Sequence, residues 1–288
     1  MSGYLQLPSG WQRVSCDGPE PFVTSELLRR PDGTLVRWGS RAHRRGHAAT
    51  TTSSASGGEP VWWRPHRRDW WMSVLFALGA LCFAVAAVAS QWATPRDWID
   101  VTFFAGSIMF TSAAALQYLE AVNVEHGLVR AARRRRRRPV SWEPHRIDWL
   151  AALIQLIGTV FFNFSTFAAM RHGLSTHQTN ARVWAPDVLG SICFLLSSEL
   201  AYAEVCHRWI CLRPRSLSWR IVALNLLGSI AFGAAAIGSL LEPASGLPVS
   251  ARIANAGTAL GGVCFFVAAL ALMPEAARAQ RTGQSASA

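Results

Sequence analysis

The sequence has no lysine, so all 28 of its basic residues are arginine; against 17 acidic residues they leave a formal net charge of +11. Arginine-only usage suggests a GC-rich bacterial genome. A charge this basic often signals a nucleic-acid partner. Here the arginines flank apolar runs, so none is expected. Enzyme signatures are also missing. There is no P-loop, no H-E-x-x-H and no G-x-S-x-G, so neither catalytic residues nor a cofactor are expected.

Cysteine is sparse. Cys82, Cys193 and Cys264 fall inside apolar runs, and Cys16, Cys206 and Cys211 lie on or at the edge of the side assigned below to the cytoplasm. A disulfide framework is therefore not expected. Cys206, His207 and Cys211 fit no common zinc spacing. His172 and His177 are five apart with no carboxylate between them, so no metal site is expected there either. The first 60 residues hold no apolar h-region, so no secretory signal is expected.

Long apolar runs are present. Half-apolar composition alone decides little, since 51% of residues are apolar and a soluble chain can match that. Clustering decides it. Runs of about 20 residues cross a hydrocarbon core of about 30 Å at 1.5 Å per residue. Six such runs are predicted as transmembrane helices: 71–91, 100–121, 149–170, 186–206, 219–241 and 253–273. The loops after runs one, three and five hold four arginines in total, Arg96, Arg171, Arg182 and Arg252; the remaining arginines lie on the opposite side. That asymmetry places both termini in the cytoplasm.

Two copies of W-x-P-H-R-x-D-W organise the chain. One comprises Trp63, Pro65, His66, Arg67, Asp69 and Trp70; the other comprises Trp142, Pro144, His145, Arg146, Asp148 and Trp149. A worn third copy, 214–219, keeps Pro214 and Trp219 and has Ser218 in the aspartate position. Each copy opens an apolar run. The odd runs follow W-x8-G-x3-F, at Trp70, Gly79, Phe83; Trp149, Gly158, Phe162; and Trp219, Gly228, Phe232. The even runs follow G-[SG]-[IV]-x-F-x9-E, ending at Glu120, Glu204 and Glu275. Tyr118 and Tyr202 are shared by the first two even runs. The expected fold is thus an all-α membrane protein with six transmembrane helices arranged as three tandem two-helix repeats.

The units are 63–123, 142–206 and 207–276. Before them, 1–62 reads as a polar cytoplasmic tail with a linker, carrying a turn at Pro31, Asp32 and Gly33. Between units one and two, 124–141 is an arginine-rich cytoplasmic loop. After the units, 277–288 is a short tail.

The motif reads mainly as a helix start and membrane anchor. Asp69, Asp148 and Ser218 suit N-caps. Trp63, Trp70, Trp142, Trp149 and Trp219 suit the lipid–water interface. Arg67, Arg68 and Arg146 suit anionic headgroups, as do Arg133, Arg134, Arg135, Arg136, Arg137 and Arg138. A topogenic anchor explains that six-arginine run with fewer assumptions than a nucleic-acid or phosphoinositide site. The Arg41, His43, Arg44, Arg45 and His47 cluster reads as a solvated tail, with lipid or a partner as the alternative. Glu120, Glu204 and Glu275 are expected to pair with nearby arginines at helix ends. The repeated glycines read as helix-packing positions.

Glu199 stands outside the repeat, five residues before Glu204 and so about 7.5 Å deeper. Gln155 and Asn225 lie six residues after the motif tryptophans, about 9 Å in. Together the three form a candidate polar layer. It lines a cavity or proton-linked site on one reading, and joins helices by hydrogen bonds on the other. Asn163, Ser165 and Thr166 form a second candidate patch nearer the outer side.

G-S-I-x-F at Gly106, Ser107, Ile108, Phe110 and again at Gly190, Ser191, Ile192, Phe194 resembles the YrhK-like family of small bacterial membrane proteins. The tandem arrangement is similar to multi-pass integral membrane proteins of actinobacteria. The resemblance implies an inner-membrane location and no particular activity. The leading expectation is a transport or small-ligand-binding membrane component, with a scaffold or sensor acting through its basic tail and loop as the alternative. The expected partner is the anionic cytoplasmic leaflet, and a homo-oligomer is compatible with the sequence.

Overall fold

The computed structural model describes residues 7–44, 50–51, 65, 67–92, 97–123 and 138–284. Lipid offers a backbone no hydrogen-bond partners, so an apolar run must close its amides on itself as a helix. Six helices are long and apolar enough to cross a membrane. They are α2 (Arg68–Ala89), α3 (Asp97–Val122), α4 (Ile147–Ala169), α6 (Ala185–Cys206), α7 (Leu217–Ser239) and α8 (Ala251–Gln284). The fourth span starts earlier than its predicted residue 186. The short α5 (Thr176–Thr179), capped by a reciprocal Ser175–Gln178 box, runs through a π-turn at Asn180–Trp184 into α6. The sixth candidate span ends at Glu275, close to its predicted residue 273, and its helix runs on through Pro274 to Gln284, so the first part of the C-terminal tail is helical.

The helices form a closed ring, α2–α3–α4–α6–α7–α8, with α8 packed back against α2. Within each hairpin, glycines from matched template positions bring two backbones together. A Cβ on Gly79 would lie 2.9 Å from the Gly106 carbonyl oxygen; on Gly158, 3.2 Å from that of Gly190; on Gly228, 3.2 Å from that of Gly261. Close approach of this kind supplies the dispersion contacts that hold helices together where lipid removes the hydrophobic drive.

The core of the ring is aromatic. Phe83, Phe162 and Phe232 form one triangle, with ring centroids 5.6–6.3 Å apart. Phe110, Phe194 and Phe265 form a second, at 5.7–6.1 Å. Each phenylalanine of the first triangle meets its hairpin partner in the second at 5.1–5.5 Å. All six are buried and form one cluster, an apolar plug across the ring. On one side of it, polar groups pin neighbouring helices together. Ser107 bonds Thr166 at 3.0 Å, Asn163 donates to Thr111 at 2.9 Å, and Ser165 donates to the Val183 carbonyl at 2.8 Å.

The N-terminal segment differs from its expected tail. Strands β1 (Gln12–Asp17), β2 (Ser25–Arg29), β3 (Leu35–Gly39) and β4 (Thr50–Thr51) form an antiparallel sheet in that order, with a five-residue helix α1 (Ser40–Arg44) after β3. The predicted turn joins β2 to β3: Gly33 has φ 85°, the Thr34 amide donates to Asp32 Oδ1 at 2.9 Å, and the Arg30 amide donates to the Thr34 carbonyl at 2.9 Å. Leu28 and Trp38 make the small core. Phe22 packs on the helices against Ile147, Ala151, Leu200 and Ala203. So little apolar area does not hold a sheet alone; docking completes it.

Two glycines test the packing. Gly257→Ala would bring a Cβ to 2.6 Å from the Ala231 carbonyl oxygen, whereas a Cβ at Gly233 meets nothing within 4 Å. Overpacking of about 1–3 kcal/mol predicts a Tm fall of roughly 3–10 °C for Gly257→Ala in detergent. Gly233→Ala is expected to leave Tm level or slightly higher. Equal shifts would remove the close-approach argument.

Candidate functional site

The motif aspartates do not cap their helices. The N-cap residues are Arg67, Arg146 and Ser216, and of these only Ser216 caps with its side chain, accepting from the Trp219 amide at 3.3 Å. Asp69 and Asp148 sit in the first turn and take a two-pronged grip from the arginine two residues earlier. Arg67 Nε and Nη2 donate to Asp69 at 2.9 and 3.3 Å; Arg146 Nε and Nη2 donate to Asp148 at 3.2 and 2.6 Å. Arg146 also donates to Glu143 at 2.6 Å and to the Ala121 carbonyl at 2.9 Å. It is buried, so it does not face headgroups as the sequence suggested. Guanidinium and carboxylate match as planar forks, which makes these the stronger class of ion pair.

The motif tryptophans divide. Trp142 is 78% exposed, while Trp149 is only 1% exposed and packs between hairpins near Tyr118. Trp219 does the same beside Tyr202, donating its indole N–H to the tyrosine hydroxyl at 3.2 Å and to the Cys211 carbonyl at 3.1 Å. Trp149 is therefore an inter-hairpin wedge rather than an interface anchor, and the half-buried Trp219 packs into the matching seam. Trp70 is half-buried against Trp71. Trp63, His66 and Arg133 to Arg137 lie outside the described residues; Arg138 is exposed, and its backbone closes the loop onto Asn123.

At the sheet-bearing end of the ring, acidic groups from several helices converge: Glu120 of α3, Asp148 of α4, Glu204 of α6 and Glu275 of α8. Helix α1 enters this mouth. Arg41 grips Glu275 through Nε at 3.1 Å and Nη2 at 3.0 Å. Arg44 reaches Glu204 at 3.4 Å and Asp148 at 3.7 Å, and the Ser40 hydroxyl donates to Glu204 at 2.7 Å. Ser218 donates to Glu275 at 2.5 Å. Burial opposes the charge on Arg44, but Glu204, then Asp148, Glu120 and Glu275, more than offset it, so its pKa is raised and it stays a cation. The expected pairing of Glu204 and Glu275 with arginine therefore holds. The partners come from the tail that was expected to be solvated, and the pairs are buried.

Behind the arginines lies a cavity of about 90 Å³. Its walls carry Gln117, Gln155, Ser197, Ser198 and Asn225, and its floor is Phe76, Phe110 and Phe265 of the plug. Gln117 Nε2 donates to Gln155 Oε1 at 3.1 Å. Two members of the expected polar layer, Gln155 and Asn225, thus share one chamber. Glu199 is half-buried and is not among the lining residues. Helical geometry explains this. Ser197, Ala201 and Glu204 follow i, i+4, i+7 spacing along the inner face, and Glu199 is about 200° around from Ser197.

Beside the mouth, the sheet meets the loop between α6 and α7. His207 ends α6 in the left-handed conformation, φ 58°, with Nδ1 hydrogen-bonded to Thr24 Oγ1 at 2.8 Å. A Cys206–Cys211 disulfide closes the loop, contrary to the expectation of no disulfide. Five-residue spacing alone cannot reveal it, because helix termination is what brings the two Cα atoms to 5.6 Å. Burial, then Arg37 and Arg213, hold the His207 pKa below its ordinary 6.5, with Glu204 and Asp17 acting the other way. The undocked imidazole takes a proton near 6.5 and the docked one only at lower pH. The undocked state therefore binds more protons in between, and docking weakens as pH falls below 6.5. Hydrogen-exchange protection in the 206–216 loop, taken relative to the intrinsic rate at each pH, should fall over that range in the wild type and stay flat in His207→Asn; identical profiles would exclude His207 as the cause.

No family model, curated protein or solved structure matches the chain, so its own geometry carries the functional reading.

Proposed function

We propose that this is a multi-pass protein of the bacterial inner membrane, with both termini cytoplasmic, that forms a gated vestibule for small cations. On this reading the ring is three tandem hairpins, which accounts for the shared positions of the glycines, phenylalanines and glutamates. Membership of a YrhK-like group belongs to the same proposal. The arginine asymmetry sets the orientation. The Cys206–Cys211 bond would then face the cytosol, where disulfides are uncommon. The loop does not rest on that bond alone, since Tyr202 and Trp219 both donate to the Cys211 carbonyl. The arginine distribution is the stronger guide.

One observation carries the function: a small chamber between a carboxylate mouth and an aromatic plug. Acidic mouths concentrate cations, and dry aromatic constrictions hold a pathway shut. The chamber of about 90 Å³ is well below the roughly 300–1,000 Å³ of sites for drug-sized ligands. It suits water and small ions. Its amides and hydroxyls can replace a hydration shell without trapping charge. Arg41 and Arg44 fill the mouth as tethered cations, so the resting state is closed. We assign the chain no catalytic role.

The second reading, a scaffold or sensor, gains weight from the folded and docked N-terminal sheet. Reconstitution separates the two. Rubidium uptake into proteoliposomes should be low for the wild type, should rise about tenfold for Arg41→Ala/Arg44→Ala, and should fall again when Gln155→Leu is added. If no folded variant passes rubidium, the transport reading fails and the sensor reading stands.

A further inference from the structure

A second cavity lies outside the ring, at the seam between the N-terminal sheet and the α6–α7 loop. Its volume is about 430 Å³, within the range of small-molecule sites and larger than the axial chamber. Two separate elements supply its cations: Arg37 from β3, and Arg208 and Arg213 from the loop. His207 lines it with an uncharged ring, and Asp17 and Glu20 sit on the opposing β1–β2 side. Three guanidinium groups face two carboxylates, which leaves the cavity net positive.

The loop is built to hold this shape. The Cys206–Cys211 disulfide closes it, His207 takes a left-handed backbone that side chains other than glycine seldom adopt, and Thr24 fixes the imidazole. Trp209, Ile210 and Leu212 project from the same loop at 43%, 83% and 78% exposure, between Arg208 and Arg213. The loop starts directly where the fourth span ends at Cys206. Apolar side chains flanked by arginine at the end of a span suit the zone where acyl chains meet headgroups.

We propose that the seam cavity binds a phosphate group, and that its natural source is an anionic phospholipid whose acyl chains lie over Trp209, Ile210 and Leu212. Arginine suits this task because its fork donates to two phosphate oxygens at once. The site adds a specific headgroup position to the general attraction of a basic membrane surface. It needs no transport activity, so it stands or falls separately from the vestibule.

Native mass spectrometry of the purified full chain tests the proposal, with phosphatidylglycerol and phosphatidylcholine each added at the same concentration. The wild type should retain phosphatidylglycerol in preference. Arg208→Ala/Arg213→Ala should weaken that retention at least about tenfold, the scale of losing charge-assisted bonds. Arg37→Gln, on the opposite wall, should weaken it comparably and covers the case in which the double variant misfolds. Arg215→Ala, in the same loop but outside the cavity lining, should leave it unchanged. A parallel arm with glycerol phosphate distinguishes the sources. Protection of the loop from hydrogen exchange by glycerol phosphate alone, without lipid preference, would overturn the lipid assignment. Retention unchanged in both Arg37→Gln and the double variant would overturn the site itself.

Discussion

Arg44→Ala is expected to unseat the N-terminal sheet from the helical bundle. Arg44 is 11% exposed, and its partners Glu204 and Asp148 are 2% and 5% exposed. Removing one partner of a buried pair costs about 3–5 kcal/mol, mostly because the remaining charges stay buried without compensation. A loss of about 3 kcal/mol raises the undocked population roughly 100-fold. Limited proteolysis within residues 12–44 should therefore accelerate by about two orders of magnitude, while the helical bundle keeps its far-ultraviolet signal. Arg44→Lys retains the charge without the planar fork and should fall between the two. Unchanged proteolysis in Arg44→Ala would mean that Phe22, Ser40 and Arg41 hold the sheet without it, and the electrostatic lid would be wrong.

Phe110→Ala should act on stability and on the seal together. Phe110 is 2% exposed and touches the rings of Phe76, Phe83, Phe194 and Phe265 at 5.5–6.1 Å. In a water-soluble core such a truncation costs about 3–5 kcal/mol. Lipid is as apolar as the core, so the transfer part shrinks in a bilayer and the lost dispersion contacts remain. A cost of about 2–3 kcal/mol is expected on that basis. Because Phe110 also floors the chamber, the cavity would extend into the plug. Rubidium leak in proteoliposomes should rise even with Arg41 and Arg44 intact. A lower Tm without any leak would show that the intact triangle of Phe83, Phe162 and Phe232 seals the ring by itself.

The two variants probe different parts of the sequence record. Phe110 sits at a template position, and its counterparts Phe194 and Phe265 can be named from spacing alone. Arg44 cannot be found that way. It looks like one of several basic residues in a polar stretch, and its partner Glu204 is 160 residues away. Glu199 shows the opposite failure. It is the obvious intramembrane carboxylate by composition, yet its inner-face neighbours are Ser197, Ala201 and Glu204. Apolar spans have no polar face from which to read the rotation of a helix, so sequence depth is legible and sequence direction is not. The tryptophans show the same ambiguity, since an indole suits both a headgroup layer and a tight inter-hairpin seam.

The sequence by itself determines six helical spans, their boundaries to within a few residues at most ends, the β2–β3 turn, and the positions where helices approach closely. Those follow from local physics: backbone satisfaction in lipid, turn chemistry, and side-chain volume. Only the tertiary structure decides that the motif aspartates are held by arginines, that Gln155 and Asn225 share a chamber from which Glu199 is turned away, and that the N-terminal segment is a docked sheet. Each of these depends on which faces of distant elements meet, and ring closure brings those faces together. The mouth of the ring, where carboxylates of four helices converge and Arg41 and Arg44 of α1 grip three of them, exists only once every hairpin is in place.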